Sequence, residues 1–462
     1  MNLSETHSSV DSPEVRRALS PTERWYWILD QVSPLNIVAW VSIRGHIAHD
    51  VLEQAAQVLY RRHPLLRVRV DARPDGTDPA FVAARSANLH VRHVDSGSDV
   101  AVWKDEIEGA ELSTALDSSS GCLARITDVV QNVGTLAEAH VLILTLSHVI
   151  GDAESATGLV SELVDIACKL SDDRADVANR ELSLATKSGR VLLAPDQSLP
   201  RSHRGVSGLG RVFLSMLEQL RHSAQRPMRL MAPEGVSLED GATRIVGRIV
   251  FGVDFQNLLA ACDAHSVELR SAITVALAWA VSDLKDGRGS ERICIGVGDD
   301  TRKAVAANGD EVVLGAYTTL TPAMVRRGKK EDFWSRVREV DHYSRDRIDR
   351  CDHVTPLLLM KFISPPSVNG SANAVKMAER RGPGNVVHIS VTTRRNPDDH
   401  GRWEVSPPEF AVSLSATGYL GACTTVADSS LQWNTVFACG AVSAVDAESV
   451  ADSALLLLLS VL

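Results

Sequence analysis

One histidine and one carboxylate four residues apart carry the most explicit chemistry in this sequence: His148 and Asp152, within Ser147-His148-Val149-Ile150-Gly151-Asp152. A neutral imidazole near its usual pKa takes a proton from an attacking hydroxyl or amine at neutral pH. Asp152 follows a single glycine, Gly151, and can fold back to fix the loop through an arginine or backbone donors. H-x-x-x-D is a short pattern. Alone it does not separate a general base from an ordinary histidine at the end of a strand.

The other arrangements are poorer. Gly205-Val206-Ser207-Gly208 lacks the last glycine of a nucleophile elbow, which opposes a serine hydrolase. Gly296-Val297-Gly298 lacks the third glycine of a dinucleotide fingerprint, and no P-loop is present. His46 and His49 stand three apart near a turn with no third ligand, so they read as surface histidines rather than a metal site.

The elements that must position His148 are legible around it. Val141 to Leu146 is an apolar run that predicts a buried strand ending at the histidine. After Asp152, apolar residues fall at Ala156, Leu159, Val160, Leu163, Ile166, Ala167 and Leu170. Those gaps of three and four predict an amphipathic helix. Upstream, Ser20-Pro21-Thr22-Glu23 signals a short helix with Trp25 and Trp27 as anchors. A strand is predicted over Ile37 to Gly45, and Asp50-x-x-Glu53 resembles a capping box opening a helix to Arg62. Pro64 should break that helix. Strand-like runs follow at Ala80 to Ala84, Leu89 to Val94 and Leu123 to Val130, with a helix near Val102 to Leu116.

From about Ser171 to Thr243 the chain turns polar and basic, with a helix over Val212 to Leu220 among Arg201, Arg204, Arg211, Arg221, Arg226 and Arg229. A lid or crossover and a plain solvated linker fit it equally. The second half begins again with strand (Arg244 to Val253), helix (Phe255 to His265), buried helix (Leu269 to Leu284) and buried strand (Arg292 to Val297), leading into Asp300-Thr301-Arg302. A basic helix is predicted from Glu331 to Arg350. Pro365 to Asn385 reads as loop. Strands at Val386 to Thr392, Glu409 to Leu414 and Trp433 to Ala438 and a helix from Asp446 to Leu458 end the chain. The expectation is an α+β protein of two similar lobes: 1–180, a linker or crossover 181–243, and 244–462.

The 462 residues are 44% hydrophobic and 23% charged, enough for a sizeable core. A net charge of -10 opposes general binding to nucleic acid or anionic membrane, although local basic patches are compatible with it. The seven scattered cysteines form no C-x-x-C pair, which favours reduced thiols in a cytoplasmic protein. The polar N-terminus has no apolar signal segment, and no apolar run is long enough to span a bilayer.

Several of these segments together resemble the superfamily of condensation domains and coenzyme A-dependent acyltransferases, whose signature is HHxxxDG between a strand and a helix. Here Ser147 to Ala153 holds that place. Leu19-Ser20-Pro21-Thr22-Glu23, Arg62-His63-Pro64-Leu65-Leu66-Arg67, Asp300-Thr301-Arg302 and Leu314-Gly315-Ala316-Tyr317 follow in the family's order, so the resemblance spans nearly the whole chain. The pattern most resembles stand-alone polyketide-associated (Pap-type) and alcohol O-acyltransferases.

The resemblance implies two chloramphenicol-acetyltransferase-like lobes forming a V with a central tunnel. It implies His148 as general base and Asp152 as a mainly structural acid. Arg302 is the candidate ion-pair partner, and Ser147 and Gly151 shape the loop. Ser390 or Thr392, on a strand facing the tunnel, are candidate oxyanion donors. The implied reaction moves an acyl group from a CoA or carrier-protein thioester to a hydroxyl acceptor, in secondary-metabolite or lipid biosynthesis. Acyl-CoA or a phosphopantetheine-bound acyl group would be the co-substrate, with no metal or redox cofactor. An amide-forming or cyclising condensation enzyme and a catalytically degenerate carrier-binding scaffold are the alternatives. The expected partners are a small hydroxyl or amine acceptor and an acidic acyl carrier protein received by the helix at 331–350 or the arginines at 201–229. A solvated face is the plainer reading of both, and a monomer is expected.

Three departures stand out. Ser147 replaces the first histidine and Ala153 the final glycine; alanine would be unfavourable if that position needed φ > 0. The DFGWG-type sequence that many plant members carry is missing.

Overall fold

Alternating and continuous apolar runs build two large sheets, one per half of the chain. The computed structural model describes residues 16–85, 88–119, 121–171, 194–231, 242–284, 292–305, 314–393 and 403–461.

A small sheet comes first, with β1 (Arg16–Ala18), β3 (Val68–Asp71) and β4 (Ala80–Ala83) in the order β1-β4-β3. The first large sheet uses β2 (Asn36–Arg44), β5 (Val91–Asp95), β6 (Ala124–Gln131) and β7 (Ala139–Ser147). Its central strand β7 lies antiparallel to both neighbours, with Ser147 opposite Asn36 and Leu146 opposite Ala124. Helix α1 (Pro21–Asp30) enters through a complete capping box. The Ser20 hydroxyl accepts from the Glu23 amide at 3.2 Å, and the Glu23 carboxylate accepts from the Ser20 amide at 2.7 Å.

Helices α2 (His49–Arg62) and α4 (Ala153–Ser171) pack on one another; α3 (Val102–Glu106) is short. The predicted capping box at Asp50 does not form. The N-cap is Ala48, and Glu53 instead accepts the Val91 amide of β5 at 2.9 Å. Joining helix to sheet satisfies a strand-end donor that the helix terminus does not need. The Arg62-His63 pair at the end of α2 closes on Glu162 of α4: Arg62 ion-pairs with it, and the His63 Nε2 lies 2.8 Å from it. That contact anchors the helix that starts at the Asp152 turn.

The second sheet runs β10-β9-β11-β14-β15-β8. Its strands are β8 (Thr243–Phe251), β9 (Arg292–Asp300), β10 (Thr318–Arg326), β11 (Val386–Thr392), β14 (Leu420–Val426) and β15 (Ser430–Ala438). Strands β10 and β14 extend the sequence reading, which placed no strand there. Helix α5 (Gly205–Ala224) joins the lobes and is longer than the predicted Val212 to Leu220. The second lobe adds α6 (Gly252–Ala264), the almost wholly buried α7 (Leu269–Asp283), α8 (Arg302–Val305) and α9 (Phe333–Asp349). Helices α10 (Thr355–Ile363), α11 (Ala372–Arg381) and α12 (Ala444–Ser460) complete it. The loop expected from Pro365 to Asn385 therefore contains a helix. Its sequence, ANAVKMAERR, is amphipathic and rich in helix formers, but it is short and its buried side is mostly alanine around Val375, so the apolar signal is weak.

The division at residue 244 needs one correction. Strands β12 (Glu404–Val405) and β13 (Glu409–Val412) belong to the second half in sequence but pair antiparallel with β2 of the first sheet. The second half thus donates strands across the junction.

Candidate functional site at the junction of the lobes

Strand β7 carries its buried run to Ser147, which is 0% exposed. The chain turns there, and the His148 amide donates to the Leu35 carbonyl at 3.0 Å. The Ser147 hydroxyl oxygen is 3.4 Å from the Val149 amide, within the turn itself. The His148 ring is partly buried, and its Nδ1 lies 2.8 Å from the Gly151 carbonyl oxygen. A carbonyl only accepts, so Nδ1 carries the proton and Nε2 presents the lone pair. Gly151 is closely packed: a methyl group there would come 3.0 Å from the Leu146 side chain and 3.4 Å from Leu314 and Ser155. Burial pushes the imidazole pKa below its ordinary value, against the opposing pull of Asp152 and the Gly151 carbonyl.

Tyr26 of α1 lies flat against this ring, centroids 4.0 Å apart and planes 14° from parallel. Its hydroxyl is 3.5 Å from the Thr318 carbonyl of the second lobe. Sequence reasoning missed this residue. Periodicity marks α1 by Trp25 and Trp27, and no spacing rule links a tyrosine at 26 to a histidine at 148.

Asp152 is 1% exposed and accepts from both lobes. One carboxylate oxygen receives the Ser155 amide at 3.0 Å, the Ser155 hydroxyl at 2.9 Å and Arg302 Nη2 at 2.7 Å. The other receives Arg302 Nη1 at 3.1 Å, the Tyr317 and Thr318 amides at 2.9 and 3.0 Å, and the Thr318 hydroxyl at 3.2 Å. Burial alone would raise the pKa of this carboxyl. The Arg302 charge and hydrogen bonds, with those of Ser155, outweigh it and hold the group below the usual carboxylate range. Asp152 therefore fastens the His148 turn to the first residues of β10 as well as to Arg302. The guanidinium also binds Asp300 at 2.8 Å and sits 4.8 Å from the centre of the Tyr317 ring.

Ala153 begins α4 and is not among the residues with positive φ. The strain considered for alanine there is therefore not present. Glu154, next in the helix, was not singled out from sequence. Burial pushes its carboxyl up to about 7; Arg302 opposes the shift, and Asp300 and Asp152 reinforce it.

Ser390 and Thr392 need a correction. Both lie on β11, on the face that carries His388. His388 is hydrogen-bonded to Thr274 of the buried helix α7 and to Thr424. The opposite face carries Ile389, which packs by Gly298, and Gly298 lies by Thr318, the Asp152 partner. Alternation thus turns Ser390 and Thr392 away from the His148 side of the sheet, so the oxyanion role expected for them has no support in the geometry. A small cleft beside α7, lined by Arg270, Asp299, Thr321 and Tyr343, lies on the same far face.

No protein-family model matches the chain. In sequence it is similar to the AMB antimetabolite synthetase AmbB of Pseudomonas aeruginosa, 25% identical over 345 residues. The match covers 72% of this chain but 25% of AmbB, so the chain corresponds to about a quarter of that protein. In structure it is similar to the TRI3 trichothecene 15-O-acetyltransferase of Fusarium sporotrichioides, with a TM-score of 0.71, 13% identity and 99% and 97% of the two chains covered. It is also similar to the first condensation domain of the calcium-dependent antibiotic synthetase, at TM-score 0.63, 15% identity and coverage of 97% and 96%. The chain thus has the two-lobed α+β fold that these condensation-domain and acetyltransferase structures have.

Proposed function

We propose that the protein is an acyltransferase that forms an ester from an acyl thioester and a hydroxyl acceptor. The observation that carries this reading is the His148 ring. Its Nδ1 is committed to the Gly151 carbonyl, its plane is held by Tyr26, and its Nε2 is the remaining basic nitrogen. In the proposed reaction Nε2 takes the proton of the acceptor hydroxyl as the oxygen attacks the thioester carbonyl. The tetrahedral intermediate then collapses, the carbon–sulfur bond breaks, and the imidazolium returns its proton to the thiolate. Arg302 and Asp152 act as positioning residues, because their charges satisfy each other rather than face a substrate. The acyl group would arrive on coenzyme A or on a phosphopantetheinyl carrier.

The likeness to AmbB, a synthetase, favours a second reading in the same site: amide formation or cyclisation on a carrier-bound chain. One assay separates the two. Purified protein is incubated with acyl-CoA and carrier-bound acyl thioesters and with hydroxyl and amine acceptors, and products are read by intact mass. Ester formation with release of free thiol supports the proposal. Product from amine acceptors alone transfers the assignment to the second reading. Tight carrier binding with no product from any pair points to a scaffold and contradicts both.

A further inference from the structure

The crossover helix α5 is turned with its apolar side outward. Val206, Leu209, Phe213, Leu214, Met216 and Leu220 are all between 48% and 86% exposed. Val206, Leu209, Phe213, Met216 and Leu220 recur at alternating gaps of three and four, so they form one stripe along the helix. With Leu214 the apolar arc is about 160° wide at 100° per residue, on a helix roughly 30 Å long. The inward side holds Gly208 and Val212, and it rests on Leu357, Leu358 and Leu359 of α10. Gly208 permits that approach: a Cβ there would meet the His203 carbonyl oxygen at 2.6 Å and the Leu358 side chain at 3.0 Å. The helix is thus seated firmly by a narrow strip, and its larger apolar face is left uncovered by the described residues.

The charge around the stripe identifies that occupant's sign. Residues 194–231 contain six arginines and two acids, in a chain of net charge -10. Both acids are engaged, Asp196 with Lys361 and Glu218 with Arg347. Arg201 and Arg204 at one end of the helix and Arg221 and Arg226 at the other are exposed, and among the described residues no carboxylate pairs with them. A second copy of the chain is a poor fit. Antiparallel pairing would set Arg201 and Arg204 against the other copy's Arg221 and Arg226, and parallel pairing would set like against like. The seam that a single coiled-coil partner helix covers is narrower than this arc. A wide apolar arc bordered by arginines is the form of a helix that lies in the plane of a bilayer surface. No helix among the described residues is long and apolar enough to cross a membrane.

We propose that α5 is a membrane-surface element. Its stripe from Val206 to Leu220 enters the headgroup boundary of an anionic bilayer, and Arg201, Arg204, Arg221 and Arg226 bind the lipid phosphates and carboxylates. This is independent of the reaction assigned to His148.

The test is flotation of the full chain with phosphatidylcholine vesicles containing phosphatidylserine, against vesicles of phosphatidylcholine alone. The protein floats with the anionic vesicles, and raised salt weakens the association. The double substitution Phe213→Glu and Leu220→Glu lowers partition by roughly tenfold or more, by removing apolar insertion and adding negative charge. The pair Arg201→Ser and Arg221→Ser lowers partition onto anionic vesicles and leaves the apolar stripe intact. Unchanged thermal melting of both variants shows that loss of partition is not loss of fold. Three results overturn the proposal: no flotation with anionic vesicles; a dimer in light scattering that the Phe213→Glu/Leu220→Glu variant dissolves; or an acidic protein that binds the stripe while vesicles do not.

Discussion

His148 and Glu154 lie on either side of the Gly151-Asp152 turn, and burial pushes their pKa values in opposite directions. For a base, a lowered pKa keeps the reactive neutral form present further into acid. The acid limb of kcat/KM should therefore have its midpoint below about 6.5, the ordinary value for histidine. A pH–rate profile checks this, and a midpoint above that value would place the ring in a different electrostatic setting. Glu154 has the reverse sign. The folded state holds its proton up to about 7, so stability is lost as pH rises from the ordinary carboxyl value through 7. Glu154→Gln should be more stable than wild type at alkaline pH and equal to it below both values. Thermal melting across pH reads this directly, and a pH-independent difference would contradict it. Glu154 is a short-range neighbour of Asp152 in sequence, yet nothing in its type or spacing revealed its state. Only the tertiary placement of Asp300 and Arg302 around it does so. His148 and Asp152 were legible because a strand end, a turn and a helix start fall together in sequence. For Ala153 the sequence leaves the sign of φ open, because it depends on where the helix begins; α4 starts at Ala153 itself.

At the scale of elements, the turn after β7 is held less by itself than by β10. Asp152 accepts from Arg302, from the Tyr317 amide just before β10 and from the Thr318 amide and hydroxyl that begin it, so a strand absent from the sequence reading is part of the clamp. β10 escaped notice because TTLTPAMVR carries a proline and alternates polar residues on both faces. Removing the acid takes away the carboxylate that holds both Nη atoms of a buried guanidinium and orphans two backbone amides. Asp152→Ala should therefore destabilise the protein by about 3–5 kcal/mol. Chemical denaturation measures it, and a loss below about 1 kcal/mol, the value of an exposed pair, would show that water replaces the clamp. The same carboxyl gives an acid dependence. Its folded pKa is depressed, so its contribution is complete above about pH 4 and is lost as pH falls through the folded value. The Asp152→Ala variant should lack that part of the acid transition. The Tyr26 stack shows the limit of reading elements singly. Helix α1 is predicted well from Ser20 to Glu23, but the face it turns to His148 is set by packing between α1 and the lobes.

At the scale of the molecule, two lobes with related strand–helix order were legible because each repeats buried strand, turn and amphipathic helix. Their interlocking was not. Strands β12 and β13 return from the second half to the edge of the first sheet, a pairing between residues more than three hundred positions apart. Local pattern marks Glu409 to Leu414 as a strand and is silent on its partner. The exchange has a mechanical consequence. Together with the Asp152 clamp it ties the two halves of the chain together around the His148 turn. The central claim is that His148 Nε2 is the base for acyl transfer. The most direct measurement is the initial rate of acylated product for wild type and for His148→Ala, with the same thioester and acceptor and matched thermal melting. A fall of about 10²–10⁴-fold, the usual contribution of a general base, is the predicted result. Equal rates from the two proteins would contradict the account.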